Sequence, residues 1–181
     1  MKLNSKQLRD LSESEAKLAS ESKPRNPVYF ILEDIYDTYN VGGLFRLADA
    51  LNIEKIYLCG QTEVPPNHKI VKASIGTYKI VPWVYKQTAG DAIDELRKNA
   101  KDVRIIAVEQ AKGSVDYRKA DYTAPIALLV GNETNGVLPE TLKRCDQIAE
   151  IPMFGINTSL NVIVSAAIVA YFGVSTQNGD K

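Results

Sequence analysis

Six short runs rich in β-branched and aliphatic residues recur along the chain, and stretches of helical periodicity lie between most of them. The runs are Val28 to Ile35, Lys55 to Cys59, Lys79 to Tyr85, Val103 to Glu109, Ile126 to Val130 and Gln147 to Ile151. Parallel strands need long crossovers, usually helices, so this alternation predicts βαβ units and a mainly parallel sheet flanked by helices. Val41, Leu44, Phe45, Ala48 and Leu51 repeat at helical spacing behind Asn40, a good cap residue, and Ala89 to Ala100 carries Ile93 and Leu96 on one face. At 181 residues the chain accommodates one α/β domain with a real core.

The two ends read differently from the middle. Residues 1–25 form a charged, weakly amphipathic helical extension, closed by a Lys23-Pro-Arg-Asn-Pro27 linker; residues 26–174 are the domain, and 175–181 a polar, flexible tail. The last helical stretch is apolar nearly all round, from Leu160, Val162, Ile163 and Val164 through Ala166 to Ala170 and Phe172. A helix of that kind is buried on every side, and a second copy of the chain is the natural cover for its outer face. A homodimer through this helix is therefore expected. The apolar stretch Leu160 to Val174 is broken by Asn161 and Ser165 and falls short of the roughly 20 residues that span a bilayer. The polar N-terminus lacks the apolar middle of a secretory signal, which predicts a cytoplasmic protein with no membrane association. Cys59 and Cys145 are read as reduced core thiols, and a lone His gives no metal site. With 22 basic against 22 acidic residues, any nucleic-acid partner requires a local basic face.

Three segments place Asn, Gly and a charged side chain at strand ends, where open α/β sheets bind ligands. The first is Asn40-Val-Gly-Gly-Leu-Phe-Arg46. The second is Leu128-Leu-Val-Gly131-Asn132-Glu133-Thr134-Asn135-Gly136, a buried strand running into a glycine-bounded loop. The third runs from Ile151-Pro152-Met153 through Gly155 to Thr158-Ser159-Leu160-Asn161. Each alone is also what a capped helix or a plain turn would show. Gly136 is followed by Val137 and Leu138 rather than Lys and Ser/Thr, so a phosphate-cradling Walker loop is excluded. No Gly-x-Gly-x-x-Gly follows a strand, and the glycine loop of the common methyltransferase fold is missing as well.

Taken together and in this order, the segments resemble the SpoU/TrmH family of RNA 2'-O-ribose methyltransferases within the SPOUT superfamily. The resemblance spans about Val28 to Phe172 and rests on Asn40, Gly43 and Arg46, on Gly131-Asn-Glu with Gly136, and on Ile151-Pro-Met with Ser159-Leu-Asn161. Thr134, Ile163 and Ser165 depart from the commoner residues. The resemblance implies a deep C-terminal trefoil knot, where the residues alone suggest an ordinary doubly wound sheet. It implies S-adenosylmethionine as cofactor, held near Val130, Gly131, Asn132, Ile151, Met153, Ser159 and Leu160, and dimerisation through the last helix.

The same resemblance assigns chemistry to Asn40, Arg46, Glu133, Ser159 and Asn161. A guanidinium is a poor base near neutral pH, so Arg46 is read as binding the 2'-hydroxyl or an adjacent phosphate and stabilising the developing alkoxide. Glu133 would orient Arg46 or Asn40, and Ser159 and Asn161 would contact the ribose or lock the cofactor loop; alternatively Glu133 and Asn161 only brace the knot. For RNA, the candidates are Arg46 and the cluster of His68, Lys69, Lys72, Tyr78 and Lys79, with Lys2, Lys6, Arg9, Lys17, Lys23 and Arg25 on the N-terminal arm. A 25-residue arm is too short for the RNA-binding domain of several rRNA-modifying relatives, which favours tRNA over rRNA. A catalytically silent RNA-binding homologue is the competing reading.

Overall fold

The structure is a computed structural model and describes residues 2–179; the first residue of the arm and the last two of the tail lie outside them. Seven strands form one sheet in the order β3-β2-β1-β6-β4-β7-β5: β1 (Asn26–Glu33), β2 (Ile53–Cys59), β3 (Trp83–Lys86), β4 (Arg104–Val108), β5 (Val115–Asp116), β6 (Ile126–Val130) and β7 (Gln147–Glu150). Every pairing is parallel. The chain first winds outward through β2 and β3, then reappears on the other side of β1 in β6 and β4. The order thus reverses between β1 and β6, the switch point at which open sheets leave a crevice beyond their carboxyl ends. Register keeps those ends level: Leu32 pairs with Leu58 on one side and Val130 on the other, and Val108 pairs with Ala149.

Helices cover both faces. α3 (Thr38–Ala50), α4 (His68–Ser74) and α7 (Val162–Gln177) lie over Phe30, Leu32, Leu58, Ile106 and Leu128, whereas α5 (Ala89–Asn99) covers Ile31, Tyr57, Ile105 and Leu129. All five residues of β6 are buried because both faces are covered, which is why that strand reads as a continuous apolar run. Among the described residues, no helix is long and apolar enough to cross a membrane, and no cluster of His, Cys, Asp or Glu could hold a metal ion. Both cysteines are free, and burial pushes each thiol up to about 12.

Several expectations need correction. The arm is two helices, α1 (Ser5–Asp10) and α2 (Glu13–Glu21), because Asn4 and Ser12 each build a capping box that starts its own helix. Pro27, read as linker, already belongs to β1. Lys79 ends a 3-10 turn rather than opening a strand, and β3 begins at Trp83. α4, β5 and the single turn α6 (Pro139–Leu142) lie in segments too short to show a period. α7 continues through Gln177, whose amide donates to the Tyr122 carbonyl at 2.8 Å, so the first residues of the supposed tail are helical. In the monomer, Val162, Ala166, Val169 and Ala170 of α7 face the core, while Val164 is 45% and Tyr171 51% exposed on the outer face for which a second copy was expected as cover.

Candidate active site

A cleft of about 800 Å³ opens beyond the carboxyl ends of β1, β6, β4 and β7. Its volume lies in the range of small-molecule and cofactor sites. Its floor is apolar, built from Val108, Val130, Ala149, Ile151, Met153 and Leu160, while Asp37, Glu109 and Glu133 supply three carboxylates and no Lys or Arg lines it. A cleft of that charge disfavours a phosphate and suits a ligand with exposed positive charge. S-adenosylmethionine, whose sulfonium gives it net positive charge and whose adenine offers a flat aromatic face to an apolar floor, fits both the size and the sign.

The second segment shapes one wall by folding onto itself. The Asn132 and Gly136 main chains exchange hydrogen bonds of 3.1 and 2.8 Å, and the Asn132 Oδ1 accepts from the amides of Thr134 and Asn135 at 2.9 Å each. A Cβ on Gly131 would lie 2.3 Å from the Gly136 carbonyl carbon, so only glycine permits the crossing. The Asn132 amide also donates to the Asp34 carbonyl at 2.9 Å, pinning the loop to the end of β1. Asn132, expected as a cofactor contact, lines the cleft, but its side chain is spent on this brace.

Across the mouth of the cleft, three side chains from three distant segments form one chain of hydrogen bonds. The Asn161 amide donates to Asn40 Oδ1 at 3.0 Å, and the Asn40 amide donates to Glu133 Oε1 at 2.9 Å. Glu133 also accepts from the main-chain amides of Tyr36 and Asp37, both at 3.3 Å, where β1 turns into α3. Asn40 does not cap α3, as its position suggested. Asp37 does, through a 2.8 Å bond from the Tyr39 amide, and Asn40 falls in the first turn, only 6% exposed and turned inward. Asn161 caps α7, its Oδ1 accepting from the Ile163 amide at 2.9 Å, so one residue fixes both the last helix and the network.

Arg46 stands apart. It is exposed, does not line the cleft, and has no hydrogen-bond or ion-pair partner among the described residues. Its direction follows from its neighbours. A Cβ on Gly42 would meet Ala73 of α4 at 2.5 Å, and one on Gly43 would meet Ile163 of α7 at 2.3 Å. At about 100° per residue, Arg46 projects between those two directions, so it opens to solvent in the groove between α4 and α7. Glu133 therefore orients Asn40, not Arg46.

Ser159 lines the cleft and is exposed, its amide donating to Asn157 Oδ1 at 3.2 Å. Lys69 and Lys72 are exposed on α4. Lys79 is not a free cation, because its Nζ donates to the carbonyls of Arg9 and Leu11 at 3.0 and 2.8 Å. Arg25 is likewise internal, donating to the carbonyls of Ile53 and Ile80 at 2.9 Å each. Glu109, at the end of β4, is a cleft residue that sequence reasoning missed; its carboxylate accepts from the Gln110 and Val137 amides at 2.8 and 3.0 Å. A charged residue closing a buried strand at the sheet's carboxyl edge was the available signal.

The sequence matches the SpoU rRNA Methylase family over residues 27–171. The chain belongs to that family. It is 32% identical over 143 residues to the tRNA (guanosine(18)-2'-O)-methyltransferase of Escherichia coli, covering 77% of this chain and 59% of that one. A putative TrmH family tRNA/rRNA methyltransferase of Bacillus subtilis is 28% identical over 84% of this chain and 60% of its own. The chain thus spans about three fifths of these curated relatives. Among solved structures, the AdoMet-bound rRNA methyltransferase of Sinorhizobium meliloti superposes with a TM-score of 0.76 at 31% identity, over 92% of this chain and 59% of that one. The A. aeolicus TrmH/SpoU tRNA modifying enzyme gives 0.74 at 27% identity, over 97% and 84%. The SpoU match covers all three segments, and they converge on the one cleft.

Proposed function

We propose that this chain is an S-adenosylmethionine-dependent 2'-O-ribose methyltransferase of tRNA, acting in the cytoplasm as a homodimer. The observation that carries the reading is the Asn161–Asn40–Glu133 chain of hydrogen bonds, which ties the three family segments together at the mouth of an acidic cleft. The cofactor supplies an activated methyl. When bound, it would be attacked in line: the 2'-oxygen would gain the methyl carbon, sulfur would keep the electron pair of the broken carbon–sulfur bond, and the hydroxyl proton would pass to solvent or a neighbouring phosphate.

Alignment dominates such a reaction. Main-chain groups around Gly131, Ile151, Met153 and Leu160 would hold the cofactor, with Asp37, Glu109 and Glu133 favouring its positive charge. Ser159, exposed at the cleft wall, would contact the ribose. Arg46, a cation with no hydrogen-bond or ion-pair partner among the described residues, would bind the substrate phosphate or the 2'-hydroxyl and stabilise the alkoxide as it forms. Lys69 and Lys72 would hold flanking phosphates. The partly open apolar stripe of Val164, Ile168 and Tyr171 supports a second copy packed on α7. The deep trefoil knot belongs to the same proposal, and a shortened contour length on mechanical unfolding would test it.

Identity to the E. coli tRNA enzyme favours tRNA, while the comparable likeness to an rRNA methyltransferase keeps rRNA as the second substrate class. The deciding experiment is transfer of radiolabelled methyl to unmodified tRNA and rRNA, with Arg46→Ala alongside and nuclease mapping of the product. Label on a ribose 2'-oxygen of tRNA, lost in the variant, is expected. Label confined to rRNA would overturn the substrate, and cofactor binding without label would point to the catalytically silent homologue.

A further inference from the structure

The zero net charge conceals an uneven distribution over the N-terminal arm. α1 carries Lys6 and Arg9, with Lys2 just ahead, against Asp10; α2 carries Glu13, Glu15 and Glu21 against Lys17. α4 is basic too, with Lys69 and Lys72 and no carboxylate. We propose that α1, α4 and Arg46 form one continuous RNA track, and that Lys79 is the positioning residue that docks α1 onto it. This inference rests on the RNA methyltransferase reading above.

Contacts between the elements carry the argument. A six-residue helix has no stability of its own in water, so α1 exists only because something holds it. The holder is Lys79, whose ammonium donates to the carbonyls of Arg9 and Leu11 at the carboxyl end of α1. Beside it, a Cβ on Gly76 would lie 2.5 Å from the Leu8 carbonyl oxygen, so the main chains touch. Arg9 therefore abuts the segment leaving α4, four residues after Lys72, and Lys69 lies one turn further back. At its other side α4 meets α3 through Ala73 against Gly42, and Arg46 lies one turn along α3 from that contact. Lys6, Arg9, Lys72, Lys69 and Arg46 are all exposed, and Asp10 is the one carboxylate on α1 or α4. This run of cations leads to the groove beside α7, next to the acidic cleft. A polyanion laid along it would be repelled by the cleft's carboxylates, which would hold its phosphates to the cations outside the cleft.

The arrangement gives Lys79 a function distinct from its charge. Its ammonium is occupied inside the protein, so it contributes to RNA binding only by keeping Lys6 and Arg9 in place.

The test is a salt titration of fluorescently labelled, in vitro transcribed tRNA binding to the full chain. Wild type would be compared with Lys6→Ala/Arg9→Ala, with Lys79→Met and with the combined triple variant. Calorimetric binding of S-adenosylmethionine verifies that each variant is folded. Each lost phosphate contact should lower the slope of log affinity against log salt by about 0.7, and weaken binding about fivefold at roughly 0.1 M salt. The double variant should lose about two such contacts. Lys79→Met should lose as much, and the triple variant should lose no more than either. A wild-type slope in the double variant, or in Lys79→Met, overturns the inference, as does a triple variant in which the losses add. If wild type binds the cofactor yet shows no salt-dependent affinity for tRNA, the failure lies instead with the tRNA reading beneath it.

Discussion

Removing the Asn40 side chain tests the site where it is most interconnected. Asn40→Ala deletes a neutral hydrogen bond from Asn161 at 3.0 Å and a charge-assisted one to Glu133 at 2.9 Å. A neutral bond is worth about 1 kcal/mol net and one to a charged group about 1.5 to 3. Glu133 and Asn161 are exposed, so water replaces part of what each loses, and the lower end of both ranges applies. The expected destabilisation is about 2 kcal/mol, a fall in Tm of roughly 4 to 8 °C at this chain length. Glu133→Ala should cost about the same, since it also strips an acceptor from the Tyr36 and Asp37 amides. In the double variant the shared bond is lost only once, so the two effects should fall short of additive by about 1 to 1.5 kcal/mol. Catalysis should follow the same logic: kcat for methyl transfer falls about 100-fold in each single variant and little further in the double, because either removal misplaces the mouth of the cleft. Thermal melts and a radiolabelled methyl-transfer assay give both cycles. Additivity within about 0.3 kcal/mol in stability, with multiplying losses in kcat, would show that the two residues act separately and would refute the network as the organising feature.

Three further outcomes are expected. Arg46→Ala should leave Tm within about 1 °C, since the exposed side chain has no hydrogen-bond or ion-pair partner among the described residues, yet lower methyl transfer at least 100-fold; Arg46→Lys should fail to restore it because the planar fork is lost. Tyr171→Glu combined with Val164→Asp should convert a species of twice the 20.0 kDa chain mass into a monomer by light scattering; an unchanged mass would place any dimer contact elsewhere. Glu33, nearly sealed beneath α6, has its pKa raised by burial, despite hydrogen bonds from Thr141 Oγ1 and the Leu138 amide. The folded state then binds its proton more tightly than the unfolded one, so this residue's contribution to stability is present at acid pH and is lost as pH rises through the folded pKa. Denaturant unfolding from pH 4 to 7 should therefore show a decline in wild type that is shallower in Glu33→Gln; parallel curves would refute the assignment.

The parallel α/β class, the positions of β1, β2, β4, β6 and β7, and the convergence of three segments were legible because each rests on a local pattern. Ile126 to Val130 can only be a strand buried on both faces, and three Asn/Gly-rich segments at strand ends can converge once the strands are parallel. What escaped depends on contacts across the fold. Lys79 and Arg25 read as surface cations, because nothing local says that carbonyls of Arg9, Ile53 or Ile80 will surround them. Asn40 read as a cap, since Asp37 three residues earlier is an equally good one and only the entry of the chain from β1 decides between them. The pairing of Asn40 with Glu133 and Asn161 spans 93 and 121 residues, so no periodicity could reveal it. Leu11-Ser12 breaks the arm through a capping box that was present in the sequence but was masked by the run of helix formers around it.

The distribution of charge joins these observations. In the proposed reaction, a cofactor with net positive charge and a substrate with one negative charge per nucleotide would meet within a bond length, yet each calls for the opposite electrostatic environment. The fold separates the two by element. The carboxylates Asp37, Glu109 and Glu133 sit at or beyond the carboxyl ends of strands inside the cleft, whereas Arg46, Lys69 and Lys72 project from α3 and α4 outside it. The boundary between them is the first turn of α3, where uncharged Asn40 links Glu133 on the acidic side to Asn161 at the start of α7. A carboxylate at position 40 would stand against Glu133 unpaired, and a cation there would neutralise it and weaken the pull on the cofactor. An amide is the side chain that can donate to one neighbour and accept from the other while adding no charge to either field.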